Sequence, residues 1–381
     1  MNVQGTAAAC SGCGLCAKVC RQGAIQMVQQ ADGFLYPQID RNACTNCGAC
    51  RAVCPFTKSN EDGSATLEAY ALKHRDEVRQ VSSSGGFFTL LSDSVLDQGG
   101  VVYGAVWSQD YSVLHIRADN RVDRDRMRGS KYMQSDISGV LDSIKKDIAS
   151  GLPVLFTGTP CQCAAVARMF GKKRPENLLM MDVICHGVLP QSLFSAYLAD
   201  IGKRFPDKRM TSVNLRDKKY GLQVVGIHFH DGTDYHSDQD YFYKVYGMHA
   251  LQRQSCFACT CAAEGRFGDF TVGDFWGIQH SHPELSDDLG ISLVLVNTEK
   301  ARKLYPALTE QLVSVAVEPE AYLPYQPNLR RPTMRGKRAD AFSAYYTKHG
   351  YQKTMHRFFD VTLMRRINAI GYKLLKKILR K

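Results

Sequence analysis

Eight of the 14 cysteines fall within the first 60 residues, in two copies of one spacing. The copies are Cys10-x2-Cys13-x2-Cys16-x3-Cys20 and Cys44-x2-Cys47-x2-Cys50-x3-Cys54, the second followed by Pro55 and the first by Arg21. In this spacing three thiolates bind one cubane and the fourth, displaced cysteine binds the other cluster. Paired zinc sites would need four ligands each and would not require a duplicated spacing. The sequence predicts two [4Fe-4S] clusters, one on Cys10, Cys13, Cys16 and Cys54 and the other on Cys44, Cys47, Cys50 and Cys20.

The other six cysteines could supply a third cluster. Cys161 lies just past an apolar segment at 153–157, and Cys185 directly follows another at 178–184. If these segments are adjacent parallel strands, both thiols emerge at the carboxyl edge of the sheet, where open α/β sheets bind ligands. Cys256 and Cys259, with two residues between them, would complete a set of four. The alternative is that these cysteines are buried as small apolar side chains.

Composition and charge limit the class of protein. The chain has 381 residues, 44% of them hydrophobic, which suggests two or three globular domains and excludes general disorder. No apolar run reaches the roughly 18 residues of a membrane span, and no secretory signal is recognisable, so we expect a cytoplasmic protein. Residues 330–381 hold 15 Lys and Arg against two Asp, while the remainder is close to neutral. The net charge of +11 is therefore concentrated in the tail.

The pattern along the chain predicts an α/β (α+β overall) fold class. Residues 1–60 form the cysteine-rich module, and the polar stretch 57–66 is typical of a linker. Predicted strands at 101–107, 153–157 and 178–184 alternate with helices, which favours a parallel sheet over 66–150 and 151–320. Residues 330–381 are predicted to form a helical tail.

Six sequence segments, in order, carry a resemblance to a known family. They are SSSGGFFT (82–89), GSKYMQS (129–135), LFTGTPCQ (155–162), DVICHG (182–187), LRDKKYG (215–221) and CFAC…DFTVGDFWG (256–277). Together they resemble the coenzyme F-420 hydrogenase/dehydrogenase beta-subunit family over about residues 65–280, with a two-cluster ferredoxin module in front. The resemblance implies an iron–sulfur flavoprotein that binds FAD. It also implies cluster ligands at Cys161, Cys185, Cys256 and Cys259, although Cys163 and Cys261 leave the fourth ligand open.

The resemblance gives two polar segments a flavin-binding interpretation. A Gly-rich turn before a helix can bind an anion through its backbone N–H groups, although Ser-rich helix starts usually serve only as caps. The first segment contributes Ser82, Ser83, Ser84, Gly85 and Gly86. The second contributes Arg128, Ser130 and Lys131, which could bind the FAD pyrophosphate or, for Lys131, face the isoalloxazine ring. The alternative for the second segment is an ordinary basic surface loop.

Arg216, Lys218 and Tyr220 are interpreted as facing substrate or the deazaflavin. Lys131, Arg216 and Lys218 are the candidate catalytic residues, with Tyr220 beside them and Asp274 orienting a loop near the third cluster. His186 follows Cys185 directly and could donate a proton, although a hydrogen-bonded structural role is the simpler interpretation.

The C-terminal tail has the pattern of a basic amphipathic helix. Leu363, Ile367, Ile370, Leu374 and Ile378 recur every three or four residues, and Lys and Arg fill the other faces. Such a helix could contact an anionic membrane peripherally, dock an acidic carrier such as ferredoxin, or pack on its own protein. The sequence has no nucleic-acid recognition motif.

These observations favour an oxidoreductase that passes electrons from reduced ferredoxin or F-420 through [4Fe-4S] clusters to FAD and on to a small organic substrate. The first alternative is an electron-transfer beta subunit of an F-420-reducing hydrogenase or dehydrogenase, within a larger redox complex. The second is an iron–sulfur regulatory or scaffold protein without turnover.

Overall fold

The computed structural model describes residues 8–56, 63–171 and 173–360. The strands in chain order are β1 (Ile25–Gln29), β2 (Leu35–Ile39), β3 (Glu68–Lys73), β4 (Val101–Trp107), β5 (Val113–Ala118), β6 (Val154–Gly158), β7 (Leu178–Val183), β8 (Met210–Asn214), β9 (Val225–Phe229), β10 (Asp234–Ser237), β11 (Phe270–Asp274), β12 (Ser292–Val296) and β13 (Val313–Ala316).

Helices cover the faces and ends of these sheets. The α-helices are α1 (Leu15–Lys18), α2 (Ala49–Ala52), α3 (Asp76–Gln80), α4 (Phe87–Asp97), α5 (Arg121–Asp125), α6 (Leu141–Ala149), α7 (Pro160–Met169), α8 (Gln191–Arg204), α9 (Tyr241–Met248), α10 (Ile278–Ser281), α11 (Glu299–Thr309), α12 (Pro319–Tyr322) and α13 (Ala339–Phe359). Short 3-10 turns occupy Ser138–Val140, Gln254–Ala258, Pro283–Leu285, Leu323–Tyr325 and Pro327–Leu329.

The main sheet has eight strands in the order β13-β3-β12-β11-β7-β6-β4-β5. Its centre is parallel, since β4 pairs with β6, β6 with β7 and β7 with β11 in the same direction. Apolar residues dominate these strands because both faces of a parallel sheet are covered. The predicted α/β fold class and its parallel strands are confirmed. Because β6 and β7 are neighbours, Cys161 and Cys185 leave the sheet at the same edge.

The flanking strands of the main sheet are antiparallel. β5 pairs with β4 on one side, while β12, β3 and β13 extend the other side in alternating directions. β3 therefore joins a sheet made mostly of strands far along the chain. The two predicted segments 66–150 and 151–320 contribute to one sheet.

A second, three-stranded sheet lies beside the main sheet. Its order is β10-β9-β8, all antiparallel, which agrees with the β-like patterns expected after Thr211. A core cluster joins it to the neighbouring helices through Phe194 and Tyr197 of α8, Phe242 of α9 and Phe342 of α13. Tail residues 339–359 are thus helical, as predicted, on both sides of a kink at Gly350, whose φ is 72°, and they pack on the body. The amphipathic pattern from Leu363 to Ile378 lies outside the described residues.

The cysteine-rich module consists of a β1–β2 hairpin and two single-turn helices. Gly14 and Gly48 occupy equivalent positions before α1 and α2, with φ of 74° and 78°, which favours glycine. This equivalence repeats the sequence duplication in the backbone. Within the described part of the chain, no helix has the length and apolarity needed to cross a membrane.

Candidate functional site

The module brings together the thiols predicted for its first cluster. Burial raises the pKa of Cys13 to about 12, and the nearby thiols of Cys16, Cys10 and Cys54 raise it further because their negative charges would repel a thiolate. The backbone N–H of Gly12 lies 3.4 Å from Cys10 Sγ and donates to it. Four thiols that would repel one another as anions are suited to share cationic iron, which binds thiolates.

A second group of thiols lines a small cavity between the module and the body. Cys161, at the start of α7, and Cys185, after β7, meet Cys256 and Cys259 of the 256–261 loop. The cavity is also lined by Ser11 and Phe56 of the module. Burial raises the pKa of Cys161 to about 11 and that of Cys256 to about 12, with the neighbouring thiols adding to the rise. The structure therefore brings the four predicted third-cluster cysteines together.

Cys259 is the member of this group best prepared as a thiolate. A hydrogen bond from the Cys261 thiol, supported by the backbone N–H groups of Cys261 and Ala262, lowers the pKa of Cys259 to about 6. Among the described residues, no three His, Cys, Asp or Glu side chains come close enough to share a single metal ion. A cubane differs from a single ion because each cysteine binds a different iron.

Cys163 and Cys261, the two cysteines not assigned to a cluster, lie in different environments. Cys163 is fully buried in α7, and its thiol donates to the carbonyl oxygen of Met181 over 3.7 Å. It does not line the four-cysteine cavity. Cys261 does line this cavity and is buried beside Cys259.

A much larger cavity, of about 870 Å³, opens beside the four-cysteine cavity. It lies at the carboxyl edge of the parallel strands, with Thr157, Val183 and Asp274 in its wall. Cys185 and Gly187 line both cavities. This is the position at which open α/β sheets bind their ligands.

The serine loop at 82–86 and the basic loop at 128–131 meet in the wall of the large cavity. Ser83 Oγ lies 3.0 Å from Ser130 Oγ and accepts a hydrogen bond from the Ser130 N–H over 2.8 Å. Ser82 and Ser84 turn their hydroxyls to the carbonyl oxygens of Val78 and Ile291. The two predicted loops are thus joined directly, and Ser82 and Ser84 use their hydroxyls to hold the backbone.

Glycines shape the start of α4 at this wall. Gly86 precedes the helix with φ of 95°, and no side chain caps the helix. A Cβ at Gly86 would lie 2.8 Å from His74 Cβ, and one at Gly85 would collide with the Leu72 carbonyl group. No side chain caps the start of α4, and Gly86, Phe87 and Phe88 line the large cavity, so this helix start is a candidate anion site.

The two candidate lysines both donate to backbone carbonyl groups, Lys131 within its own loop and Lys218 to other segments. The buried Lys131 Nζ lies 2.9–3.4 Å from the carbonyl oxygens of residues 126–129. Burial lowers the pKa of Lys131 to about 7. Lys218 Nζ donates to the carbonyl oxygens of Arg79, Ser84 and Leu289, and it is not in the cavity wall. It supports the serine loop from behind.

Arg216 and Arg128 both line the large cavity. Arg216 pairs with Asp274 through Nη1 and Oδ2 at 2.5 Å, which joins the second sheet to the end of β11. Arg128 donates to Thr89 Oγ1 over 3.2 Å and pairs with Asp125 at 3.0 Å. Tyr220 lies away from the cavity wall and bonds to Asp234.

His186 is the functional candidate that the structure strengthens. Its ring stacks on Trp276 with centroids 4.8 Å apart, and both line the large cavity. Burial lowers the pKa of His186 to about 4, so the ring is neutral near pH 7. Its buried Nε2 has no hydrogen-bond partner within the described chain. A buried polar atom without a partner at a cavity wall is suited to a bound ligand.

Arg253 lines the four-cysteine cavity, but the sequence analysis did not identify it as a site residue. It is 1% exposed and contacts the module through Cys10 and Leu35. An isolated Arg three residues before a cysteine carries no distinctive pattern, so only the contact across 243 positions reveals it.

Comparisons with known proteins give two family matches. The model for the C terminus of the beta subunit of coenzyme F420 hydrogenase/dehydrogenase matches residues 152–321, and the model for a 4Fe-4S dicluster domain matches residues 9–58. A chain of the F420-reducing [NiFe] hydrogenase complex from Methanosarcina barkeri is similar at 17% identity and a TM-score of 0.48, covering 79% of this chain and 94% of that chain. No curated protein matches the sequence.

The two family matches confirm the predicted resemblance and the two-cluster module. The chain is thus an iron–sulfur protein with a 4Fe-4S dicluster domain at residues 9–58, and its residues 152–321 are similar to the C-terminal domain of the F-420 hydrogenase/dehydrogenase beta subunits.

Proposed function

We propose that this protein is an iron–sulfur flavoprotein oxidoreductase that takes electrons from reduced ferredoxin or F-420 and reduces a small organic substrate. The observation that carries the proposal is the shared wall at Cys185: one cysteine borders both the four-cysteine cavity and the large cavity. A cluster site and a cofactor-sized cavity in contact are what a redox relay requires.

The chain's own residues fit the proposed FAD. The open start of α4 and Ser83, bonded to Ser130, would receive the pyrophosphate, with Arg128 adding positive charge nearby. Lys131 would hold the 126–129 carbonyl groups in place, and Lys218 would hold the serine loop from behind. When bound, clusters exchange single electrons and a flavin exchanges one or two, so the pair connects one-electron carriers with two-electron acceptors.

Arg216 and His186 are proposed to face the substrate. Asp274 fixes the Arg216 guanidinium at the cavity wall, which leaves its remaining N–H donors for an anionic or carbonyl group. The unpartnered His186 Nε2 offers one further polar contact, and Trp276 holds its ring in place.

Cofactor analysis tests this function directly. Protein purified and reconstituted without oxygen should contain about one FAD and roughly twelve irons per chain, since each of three cubanes holds four. A preparation with iron but no flavin after reconstitution with FAD would contradict the flavoprotein assignment. Zinc in place of iron would contradict the whole proposal.

A second candidate function is an electron-transfer beta subunit within a larger hydrogenase or dehydrogenase complex. The match of residues 152–321 to a beta-subunit family favours it. Affinity purification from the native host separates the two candidates. A stoichiometric catalytic subunit, together with loss of turnover when this chain is isolated, supports the role within a complex. Turnover by the isolated chain with ferredoxin or F-420 supports the stand-alone enzyme.

A further inference from the structure

Arg253 is a buried cation with no carboxylate partner among the residues that the structure describes. Its side chain is 1% exposed, and no Asp or Glu of the described ranges forms an ion pair with it. The other large buried arginines differ, because Arg266 pairs with Asp182 and Arg124 pairs with Asp93. A buried charge is costly unless opposite charge or hydrogen bonds compensate it.

The Arg253 side chain donates hydrogen bonds to two backbone carbonyl groups of the cysteine-rich module and to one side chain of the body that itself contacts the module. Nε donates to the Cys10 carbonyl oxygen over 2.6 Å, and Nη2 donates to the Leu35 carbonyl oxygen over 2.8 Å. Nη2 also lies 3.7 Å from Cys10 Sγ, the first thiol of the module. The guanidinium carbon lies 4.2 Å from the centre of the Tyr36 ring.

Gln134 completes the contact between Arg253 and the module. Its Oε1 accepts from Arg253 Nη1 over 2.9 Å, and its Nε2 donates to the Ser11 carbonyl oxygen over 2.5 Å. A Cβ at Gly12 would lie 2.7 Å from Arg253 Nη1, so the Cys10–Cys13 loop closes directly over the guanidinium.

The other side of Arg253 faces the four-cysteine cavity. Arg253 lines that cavity, and its carbonyl oxygen accepts from the Cys256 N–H over 2.8 Å. One guanidinium thus lies between two groups of thiols that come from different parts of the chain.

We propose that Arg253 is a positioning residue that electrostatically couples two of the three cluster sites: the one on Cys10, Cys13, Cys16 and Cys54, and the one on Cys161, Cys185, Cys256 and Cys259. The proposal rests on the proposed function, because it needs iron–sulfur clusters at both sites. The anionic thiolate-ligated clusters would supply the counter-charge for the guanidinium. In return, its charge would raise both reduction potentials, and its N–H···S contact with Cys10 would add to the rise at the first site, since charge and hydrogen bonds to sulfur set cluster potentials.

The test is a redox titration of the whole protein, followed by electron paramagnetic resonance. In Arg253→Met, two of the three cluster reduction steps should move to lower potential by at least a tenfold change in the oxidised-to-reduced ratio, which is about 59 mV for one electron. The third step, from the site on Cys44, Cys47, Cys50 and Cys20, should stay in place. Arg253→Lys, which keeps the charge, should leave the potentials close to those of the wild type.

Two further variants make the test decisive. Gln134→Glu puts a carboxylate beside the intact Arg253 and neutralises it, so the same two steps should move down even if Arg253→Met loses iron. Lys303→Met is the control, because it removes an exposed charge on α11, a helix that contributes no residue to the four-cysteine cavity. It should leave all three steps unchanged, since water and salt screen exposed charges.

The outcomes separate this proposal from the proposed function. Wild-type protein without three clusters contradicts the proposed function itself. Three clusters whose potentials stay constant in Gln134→Glu overturn the role of Arg253 alone. An equal fall in Arg253→Lys and Arg253→Met would also overturn it, because charge would then not be the cause.

Discussion

At the scale of single residues, Cys185 connects the two cavities. It follows β7 and lines the four-cysteine cavity on one side and the large cavity on the other. The Gly187 N–H donates to its Sγ over 3.4 Å, as the Gly12 N–H does to Cys10. Two of the three predicted cluster sites, those that include Cys10 and Cys185, therefore share an N–H···S contact from a glycine two residues after the cysteine.

Replacing Cys185 tests the third cluster. We expect Cys185→Ala to lose roughly four of twelve irons per chain, because one cubane loses a ligand. FAD should remain, since the serine and basic loops are untouched. Iron, sulfide and flavin analysis of the anaerobic protein measures both.

Cys163→Ala is the matched control for this change. Cys163 is also a cysteine of the body, but its thiol contacts Met181 rather than the cavity. It should keep the full iron content. Equal iron in wild type and Cys185→Ala, or iron loss in Cys163→Ala, would contradict the proposed ligand set.

The cysteines could be located from the sequence, while the directions of long side chains could not. A cluster needs thiols at fixed spacing, so the chemistry itself marks Cys10 to Cys54. Lys131 and Lys218 have flexible side chains, and the position of each ammonium group is set by the backbone carbonyl oxygens to which it donates. Those carbonyl groups belong to loops whose shape the sequence pattern does not define.

At the scale of elements, α4 has a glycine with positive φ at each end. Gly86 begins it at the cavity wall, and Gly99 follows its end with φ of 70° and no atom within 4 Å of a Cβ. Both positions need a left-handed backbone, but a Cβ would be crowded at Gly86 and unobstructed at Gly99.

We expect Gly86→Ala to lower both FAD content and the free energy of unfolding. This change and its control, Gly99→Ala, both carry a left-handed backbone cost of about 1–2 kcal/mol. Only Gly86→Ala adds a crowded contact with His74, which would displace the serine loop at a further cost of about 1–3 kcal/mol. Urea unfolding and released-flavin fluorescence measure the two effects. Equal FAD content in the two variants would show that the start of α4 does not bind the cofactor.

The strands of the sheet centre were predictable and its flanks were not. Val101–Trp107 was predicted with its observed bounds, and β6 and β7 within one residue at each end, because buried parallel strands are short apolar runs between turn residues. The partners of β3 lie more than 200 residues away in β12 and β13. No local pattern specifies such a pairing, so the antiparallel flank of β12, β3 and β13 emerges only from the fold.

At the scale of the whole molecule, the cysteine-rich module has a much smaller apolar core than the body. In the described part of the module, its own core cluster consists of Ile25 and Ile39 surrounded by cysteine side chains. Leu15 packs into a core of the body instead. A unit of about 50 residues with so little core usually needs metal to stay folded.

Removing iron should therefore unfold the module before the body. We expect amides of residues 9–56 to exchange hydrogen rapidly after the clusters are stripped with chelator and oxidant, while β4, β6 and β7 stay protected. Hydrogen-exchange mass spectrometry of the stripped and intact protein compares the two regions. A module that stays protected without iron, or a main sheet that opens together with it, would contradict this prediction.

Cys47 is the one exposed cysteine among the 14, all of which the structure describes. With clusters bound as proposed, dissolved oxygen would reach the site on Cys44, Cys47, Cys50 and Cys20 first, because module residues such as Ser11 and Phe56 line the four-cysteine cavity. In air, iron would then be lost from the exposed cluster site before it is lost from the four-cysteine cavity. Its brown colour would fade in stages, and an aged sample would keep its innermost iron the longest.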